Sequence, residues 1–527
     1  MKRPKSLAKG MGLTNRTKKL LDVCIIGMGP TGAVLSALLG QMGLQVGVCD
    51  ASTDVYDKPR AIALDHEIMR VFQEIGIAKA IEPFVEPFTN SEFFGVQGQL
   101  IKCMSTLPPP YPLGYVPSLV FSQPPVERVL RERVSTLKNV HVNLGHRLTS
   151  LTQDAEKVSL TFESLNGQSE SIQAKYVVGC DGASSFVRQS LGIELQDLGF
   201  DQPWLVVDVL LSDSGMAKLP KVSMQICEPK RPCTYVIGPK NHRRFEVAIN
   251  EGEDPKVLQE PEQVWSLLSR WMSPQDGILW RQASYRFHAL VAKEWRHKRV
   301  LIAGDAAHQQ PPFLGQGMCQ GVRDAHNLAW KLSALIKGQA TQSLLNTYAS
   351  ERAAHVKELT TRIKDIGLLV AERDQEKAMA RDAALLKQSG GVIKPMPRQN
   401  VQPALKEGCL SVSGHAAVGT LFPQATLEVH GASQWMDDVL AKGWRLFVQS
   451  DALRDFKVSE NIDGLNLQWV ECGGQGIQES TGVVANWFSS MQVKAALVRP
   501  DHYVYDVFNT SQEFFASVQN VQAYLKI

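Results

Sequence analysis

The stretch LLDVCIIGMGPTGAVLSALLGQMGLQVGVCD, ending at Asp50, constrains this chain more than any other. Val23 to Ile26 form a short apolar run that breaks at Gly27-Met-Gly29-Pro-Thr-Gly32. Small and apolar residues at helical spacing follow, then a stop at Gly43 and a second apolar run that closes on Asp50. Glycines at 27, 29 and 32 give a tight turn, a close approach of backbone to a pyrophosphate, and close packing of helix on strand. Asp50 stands where an acid accepts a ribose hydroxyl. This order predicts an α/β, Rossmann-like domain with a dinucleotide on its parallel sheet. The motif does not choose between NAD and FAD.

Two further strand ends bear on that choice. In KYVVGCDGASSFVRQSLGI an apolar run ends at Asp181-Gly182 and passes through Ser184-Ser185 to a helix. In RVLIAGDAAHQQPPFLGQGMCQGVRDAHNLAWKL the run ends at Gly304-Asp305. The proline pair Pro311-Pro312 and Gly315 and Gly317 then lead into an amphipathic helix whose free N–H groups point at the same place. In open α/β sheets ligands sit at the carboxyl ends of strands, where both aspartates fall. Arg60, ten residues beyond Asp50, is a candidate partner for a diphosphate.

The bulk numbers exclude several classes. A chain of 527 residues with 44% hydrophobic content is expected to hold two or three domains with ample core. Residues 1–20 carry seven Lys/Arg and no acid, so against a net charge of +3 the remainder is near −4 (3 minus 7). Nucleic-acid binding by the folded body is therefore not expected. The basic start has no apolar core and reads as a disordered tail, not a secretory signal. No apolar run reaches the roughly 18 residues a membrane span requires. Nine scattered cysteines form no CxxC and no Cys/His metal spacing, which predicts reduced, structural thiols, a cytoplasmic protein and no metal.

Together, GMGPTG, CDGASSFVR and GDAAHQQPPFLGQG resemble, in that order, the motifs of the FAD-dependent aromatic hydroxylases, the single-component flavoprotein monooxygenases of the para-hydroxybenzoate hydroxylase type. The likeness covers about residues 20 to 375. PWLVVDVL, KRPCTYV and SYRFHALVA make the 3-(3-hydroxyphenyl)propionate hydroxylase group the nearest look-alike. The resemblance implies FAD as cofactor and NAD(P)H and O₂ as co-substrates. It implies that Asp305 binds the ribityl chain and that Pro312, Gly315 and Gly317 line the isoalloxazine. Arg60 would meet the diphosphate, Gln123 would touch the cofactor, and Asp181 would serve both FAD and the nicotinamide. Asp50 replaces the commoner Glu, which leaves ribose binding intact.

The domain plan predicted is a discontinuous FAD-binding domain over 21–199 and 281–375 and an antiparallel sheet inserted over 200–280. A polar, Gly/Pro-rich linker over 376–400 and a C-terminal domain over 401–527 complete it. By resemblance that last domain is thioredoxin-like; without CxxC it runs no dithiol exchange, which leaves a structural or homodimer-forming role. The inserted sheet would make the substrate pocket. There Arg231 and Tyr285 are candidate substrate contacts, and Tyr235 and His288, with Pro312, are candidate catalytic residues. The expected reaction hydroxylates a phenolic acid ortho to its hydroxyl, with dioxygen activated at the flavin C(4a) and the substrate being 3-(3-hydroxyphenyl)propionate or 3-hydroxycinnamate. Alternatives are a polyketide, antibiotic or pyridine ring as substrate, an NAD dehydrogenase, and a non-catalytic flavin-binding protein.

Overall fold

A computed structural model describes residues 20–456 and 467–525. The expected basic tail lies outside the described residues apart from Leu20. The first sheet runs Arg296–His297, Val300–Ile302, Ser169–Gly179, Leu21–Ile26, Val46–Asp50, Val140–Leu144, all parallel from Val300 onward in that order. Its registers explain why three motifs far apart in sequence meet. Ile26 lies opposite Gly179, and Gly179 lies opposite Ile302. The loops that begin at Gly27, Cys180 and Ala303 therefore leave the sheet side by side. Cys180 N donates to Ile26 O at 2.7 Å and Ala303 N to Gly179 O at 2.9 Å, which ties the three exits together.

The glycines of the first turn are there for close approach. Gly27 has φ +99°, and a Cβ on it would collide with the Cys180 carbonyl; one on Gly32 would collide with the Gly27 carbonyl. The helix Pro30–Gln41 follows with proline in its first turn, where the missing N–H costs nothing. It packs beside Gly317–Ile336, whose buried face includes Val322, Ala325, Leu328 and Ala329.

A second sheet of nine strands stands over those strand ends. Its centre is the antiparallel set Gly277–Ala292, Leu195–Leu211, His242–Ala248, Cys233–Ile237 and Ser223–Ile226. It is wider than the expected 200–280. Ser91–Phe94 and Leu100–Ser105 join one side, Met396–Pro397 ends that side, and His308–Gln309 ends the other. Side chains alternate between its faces. Leu205, Val207, Phe245, Val247, Cys233 and Tyr235 point one way, into a core closed by the helix Pro261–Leu268. Val206, Asp208, Arg244, Glu246, Thr234 and Gln225 point the other way.

Residues 376–400 are not a linker. Gln375–Gln388 is a helix, capped by the Asp374 side chain on Lys377 N. Its composition is polar because most of its surface is exposed; buried Asp382 holds it down by accepting from Val96 N at 2.7 Å and Gln99 Nε2 at 3.1 Å. The chain then enters the second sheet at Met396 before leaving for the last unit. That unit has a four-stranded sheet in the order Leu467–Cys472, Trp444–Gln449, Ala495–Val498, Val504–Phe508, with the first pair parallel and the other two antiparallel.

This unit docks on the helices of the first sheet through buried charge. Arg499 donates to Glu351 at 2.8 Å and, with two nitrogens, to Asp501 at 2.6 and 2.9 Å; Lys331 meets Glu351 at 2.8 Å. Arg70 holds Asp437, and the Tyr503 hydroxyl donates to Glu67 at 2.9 Å. Among the described residues no helix is long and apolar enough to cross a membrane.

Candidate active site

Between the two sheets lies a cavity of about 540 Å³. One wall is built from the three strand exits: Gly29 to Thr31, Cys180, Gly182 and Ala183, and Ala303 with Asp305. Neither helix N-terminus on this wall is capped by a side chain. Pro30–Gln41 and Gly317–Ile336 thus present free backbone N–H groups, a ready anion site. Pro312, Gly315 and Gly317 continue the wall, and Gly315 has φ +65° at a point where a Cβ would collide with the Ala63 side chain.

Asp305 opens into the cavity, and no hydrogen-bond donor reaches its carboxylate among the described residues. Enclosure by protein pushes its carboxyl above the ordinary range, against the opposing charges of His308 and Arg60. The turn that carries it is held from behind by Asp324. That buried carboxylate accepts from Gly304 N at 2.9 Å and His308 Nε2 at 2.8 Å, and pairs with Arg352 at 2.8 Å. Asp324 and Arg352 were not singled out by sequence; they sit inside an ordinary amphipathic helix pattern.

Gln123 and Arg60 also line the cavity. Gln123 Oε1 accepts from Arg60 N at 3.0 Å and Ala61 N at 2.6 Å, so it fixes the backbone that presents the arginine. The Arg60 guanidinium is half exposed, 3.9 Å from Glu127. Asp50 and Asp181 are placed differently from the cavity-lining residues. Asp50 accepts from Met28 N at 2.6 Å and Ser52 N at 2.7 Å, which closes the glycine turn. Asp181 accepts from Ser185 Oγ at 2.5 Å and Val187 N at 3.0 Å, fastening the helix that follows.

On the second-sheet wall the expectations divide. Tyr285 and His288 line the cavity; Tyr285 lies under the Arg281 guanidinium at 4.9 Å, and His288 Nδ1 is 3.4 Å from Asp201. Arg231 does not line it. Glu253 binds its guanidinium at 2.6 and 2.7 Å, away from the cavity. Tyr235 does not line it either. Its strand neighbours Thr234 and Val236 do, so Tyr235 points into the opposite core, where its hydroxyl donates to Pro220 O at 3.2 Å and burial pushes its pKa up. Sequence reasoning passed over Thr234, Gln225, Glu246, Arg244, Arg281 and Arg398, all cavity-lining. Strand alternation around Tyr235 was the signal for Thr234 and Glu246; nothing local marked Arg398, which arrives from the end of the supposed linker.

Comparison with known proteins fits this geometry. A family model described as an FAD binding domain matches residues 20–363, and one described as the HcaD C-terminal domain matches residues 419–523. A probable NADH-specific resorcinol 4-hydroxylase of Rhodococcus jostii (strain RHA1) is 34% identical over 94% of this chain and 93% of its own. The chain belongs to the FAD-dependent aromatic hydroxylases. A 3-(3-hydroxy-phenyl)propionate/3-hydroxycinnamic acid hydroxylase of Escherichia coli (strain K12) is 31% identical over 92% of this chain and 91% of its own. The hydroxylase fold extends to solved structures at lower identity. The flavin-dependent monooxygenase PieE, in complex with FAD and substrate, aligns with TM-score 0.79 at 20% identity, over 96% of this chain and 99% of that one. Aklavinone-11 hydroxylase, with FAD and aklavinone, gives 0.78 at 21% over the same shares.

The first wall suits FAD on its own terms: an unpartnered carboxylate for a hydroxyl donor, two uncapped helix ends for phosphate, and an arginine fixed at the rim. Bound here, FAD supplies the redox chemistry that links a nicotinamide to dioxygen. The enzyme is an FAD-dependent aromatic monooxygenase.

Proposed function

We propose that this enzyme uses NADH and O₂ to hydroxylate a single-ring phenol ortho to its hydroxyl, the ring carrying a short acidic substituent at the meta position, as in 3-(3-hydroxyphenyl)propionate. The carrying observation is the second-sheet wall, which puts an acid, Glu246, and two incompletely committed guanidinium groups into one cavity with the cofactor wall. Arg281 gives one N–H to Pro59 O, and Arg398 gives one to Leu314 O at 3.0 Å, leaving further donors on each for a carboxylate. They take the place that sequence gave to Arg231. NADH as reductant follows the name of the Rhodococcus relative.

A second reading has resorcinol itself as substrate, favoured by the name of that same relative. Both compounds are one-ring phenols substituted at the meta position. The discriminating experiment measures NADH oxidation and oxygenated product with 3-(3-hydroxyphenyl)propionate, with resorcinol, with 3-ethylphenol and with a polycyclic phenol. Coupled hydroxylation of the propionate over 3-ethylphenol supports the acidic substrate. Coupling with resorcinol alone moves the reading to the second, and coupling with the polycyclic compound alone overturns both.

The same proposal assigns residues 401–527 to a thioredoxin-like domain. Its parallel strand pair followed by an antiparallel pair, with helices Val483–Met491 and Ser511–Val521, supports that. Its Cys409 is buried and Cys472 partly buried, so it acts as structure, not as a redox centre. Nine free thiols suit the cytoplasm.

A further inference from the structure

Glu246 is the feature of the cavity that the cofactor wall does not explain. It sits in mid-strand within His242–Ala248 and is 3% exposed. Its side chain lines the cavity, and among the described residues no hydrogen bond or ion pair engages its carboxylate. A buried carboxylate in that condition is costly unless something donates to it.

The neighbours on every packed strand are accounted for. Val206 lies opposite on one side, and Thr234 on the other with Gln225 beyond it. The Thr234 hydroxyl spends its hydrogen on Gln225 Oε1 at 2.6 Å. Arg244, two residues back on the same face, is taken by Asp208 at 2.7 and 3.1 Å and by the carbonyls of Arg60 and Pro59. Asp208 also accepts from His242 at 2.7 Å and faces Arg281 at 4.0 Å. The arginines are thus turned toward Asp208, and the negative charge of Asp208 offsets what they offer Glu246. Burial dominates, and the Glu246 carboxyl is pushed up to about 7. A carboxyl at that value exchanges its proton near neutral pH, which is what a general base for a phenol needs.

Resting on the phenol-hydroxylase reading, we propose that Glu246 receives the phenolic O–H of the substrate, as hydrogen-bond acceptor on binding and as proton acceptor during hydroxylation. The phenol O–H bond breaks, a new O–H bond forms on the Glu246 carboxylate, and the electron pair left on the oxygen feeds the ortho ring carbon. That carbon forms a C–O bond to one oxygen atom of O₂ as the O–O bond breaks; the other atom leaves as water, with the two electrons coming from NADH. The ring carbon then loses its hydrogen as a proton to water, and Glu246 returns its proton to the phenol oxygen. Gln225 keeps its amide N–H₂ without a protein acceptor among the described residues and stands one strand beyond Thr234, placed to hold a second polar substituent.

The test compares wild type, Glu246→Gln and Glu246→Asp with bound FAD. Resorcinol and 3-(3-hydroxyphenyl)propionate are the probes, across roughly pH 5.5 to 9. Binding and its pH dependence are read from the flavin spectrum, and turnover from oxygenated product. Wild type is expected to gain both phenol affinity and kcat as pH rises through neutrality and the Glu246 carboxylate becomes free to accept. Glu246→Gln should lose both limbs, with coupled product falling about 100-fold or more at retained FAD content. Glu246→Asp should keep the limb at lower kcat, and it decides the matter if the amide variant does not fold. A Glu246→Gln enzyme with wild-type kcat and an unmoved limb overturns the proposal. Wild type that binds a phenol with that pH limb, lost in Glu246→Gln, but does not hydroxylate it overturns the functional reading alone, while wild type that binds neither phenol overturns both.

Discussion

Two carboxylates face each other's side of the cavity, and the same physics gives them different duties. Asp305 lies among uncapped helix ends and an arginine, where the hydroxyls of a bound polyol would complete its hydrogen bonding. Replacing it with alanine removes charge-assisted hydrogen bonding worth about 1.5–3 kcal/mol per bond, which weakens FAD binding roughly 10- to 150-fold for each bond lost. Flavin retained after dilution and gel filtration measures this, and full retention would remove Asp305 from the flavin site. Glu246 makes a stability prediction of its own. Its carboxyl is held near 7 in the folded protein against an ordinary 4.5, so between those values the folded chain keeps a proton that the unfolded chain has lost. Stability from this group therefore falls as pH rises through that window. Glu246→Gln abolishes the fall and should gain on wild type by an amount on the order of 3 kcal/mol at pH 8 relative to pH 5. Thermal midpoints at the two pH values check it; parallel curves would mean that Glu246 carries no raised pKa. Asp305 and Arg60 were legible as candidates, Asp305 from the Gly-Asp strand end and Arg60 from its distance beyond Asp50, and both line the cavity. Glu246 was not, because a lone acid in RFEVAIN has no motif, and only the sheet above the flavin wall makes it a cavity residue.

At the scale of elements, the strand–turn–helix that opens the chain was legible because each glycine has a steric duty there. Gly32→Ala would drive a methyl group into the Gly27 carbonyl, so the turn must open. The expected result is a loss of about 1–3 kcal/mol in stability together with loss of FAD, read by denaturant titration and flavin absorbance. A folded, flavin-replete Ala variant would show that the turn has slack the packing denies. Strand identity in the second sheet was legible too, but facing was not. KRPCTYV gives the strand Cys233–Ile237, yet choosing Tyr235 over Thr234 chose the wrong face, since period-2 alternation sends adjacent side chains to opposite sides. The helix Gln375–Gln388 was hidden for a related reason. Its buried contacts are a small residue, Ala378, and a charged one, Asp382, so no apolar stripe announces it. Arg231 looked like an anion partner only because Glu253, 22 positions away, was not visible as its mate.

Over the whole molecule, the C-terminal unit is bound by charges that have no water to fall back on. Arg499 is fully buried between Glu351, in the long helix Gln342–Val370, and Asp501 of its own unit. Arg499→Met leaves both carboxylates short of a cation and should cost about 3–5 kcal/mol. Denaturant unfolding measures the loss, and limited proteolysis near 389–395 should cut the variant faster as the unit lifts away. An unchanged midpoint would mean that Lys331 and the flanking contacts suffice. The second sheet has a different implication, for how such enzymes diverge. Its strands come from 91–105, 195–292, 308–309 and 396–397, threaded through the flavin-binding framework and past it. A recombination event that exchanged only residues 200–280 with a relative would carry over Glu246, Thr234 and Gln225 but leave Phe88, Ser91 and Arg398 behind. The hybrid pocket would be a mosaic of two ancestors. New substrates are therefore reached more readily by point changes on alternate strand positions than by trading segments, and lineages of this architecture should drift in specificity while inheriting the framework whole.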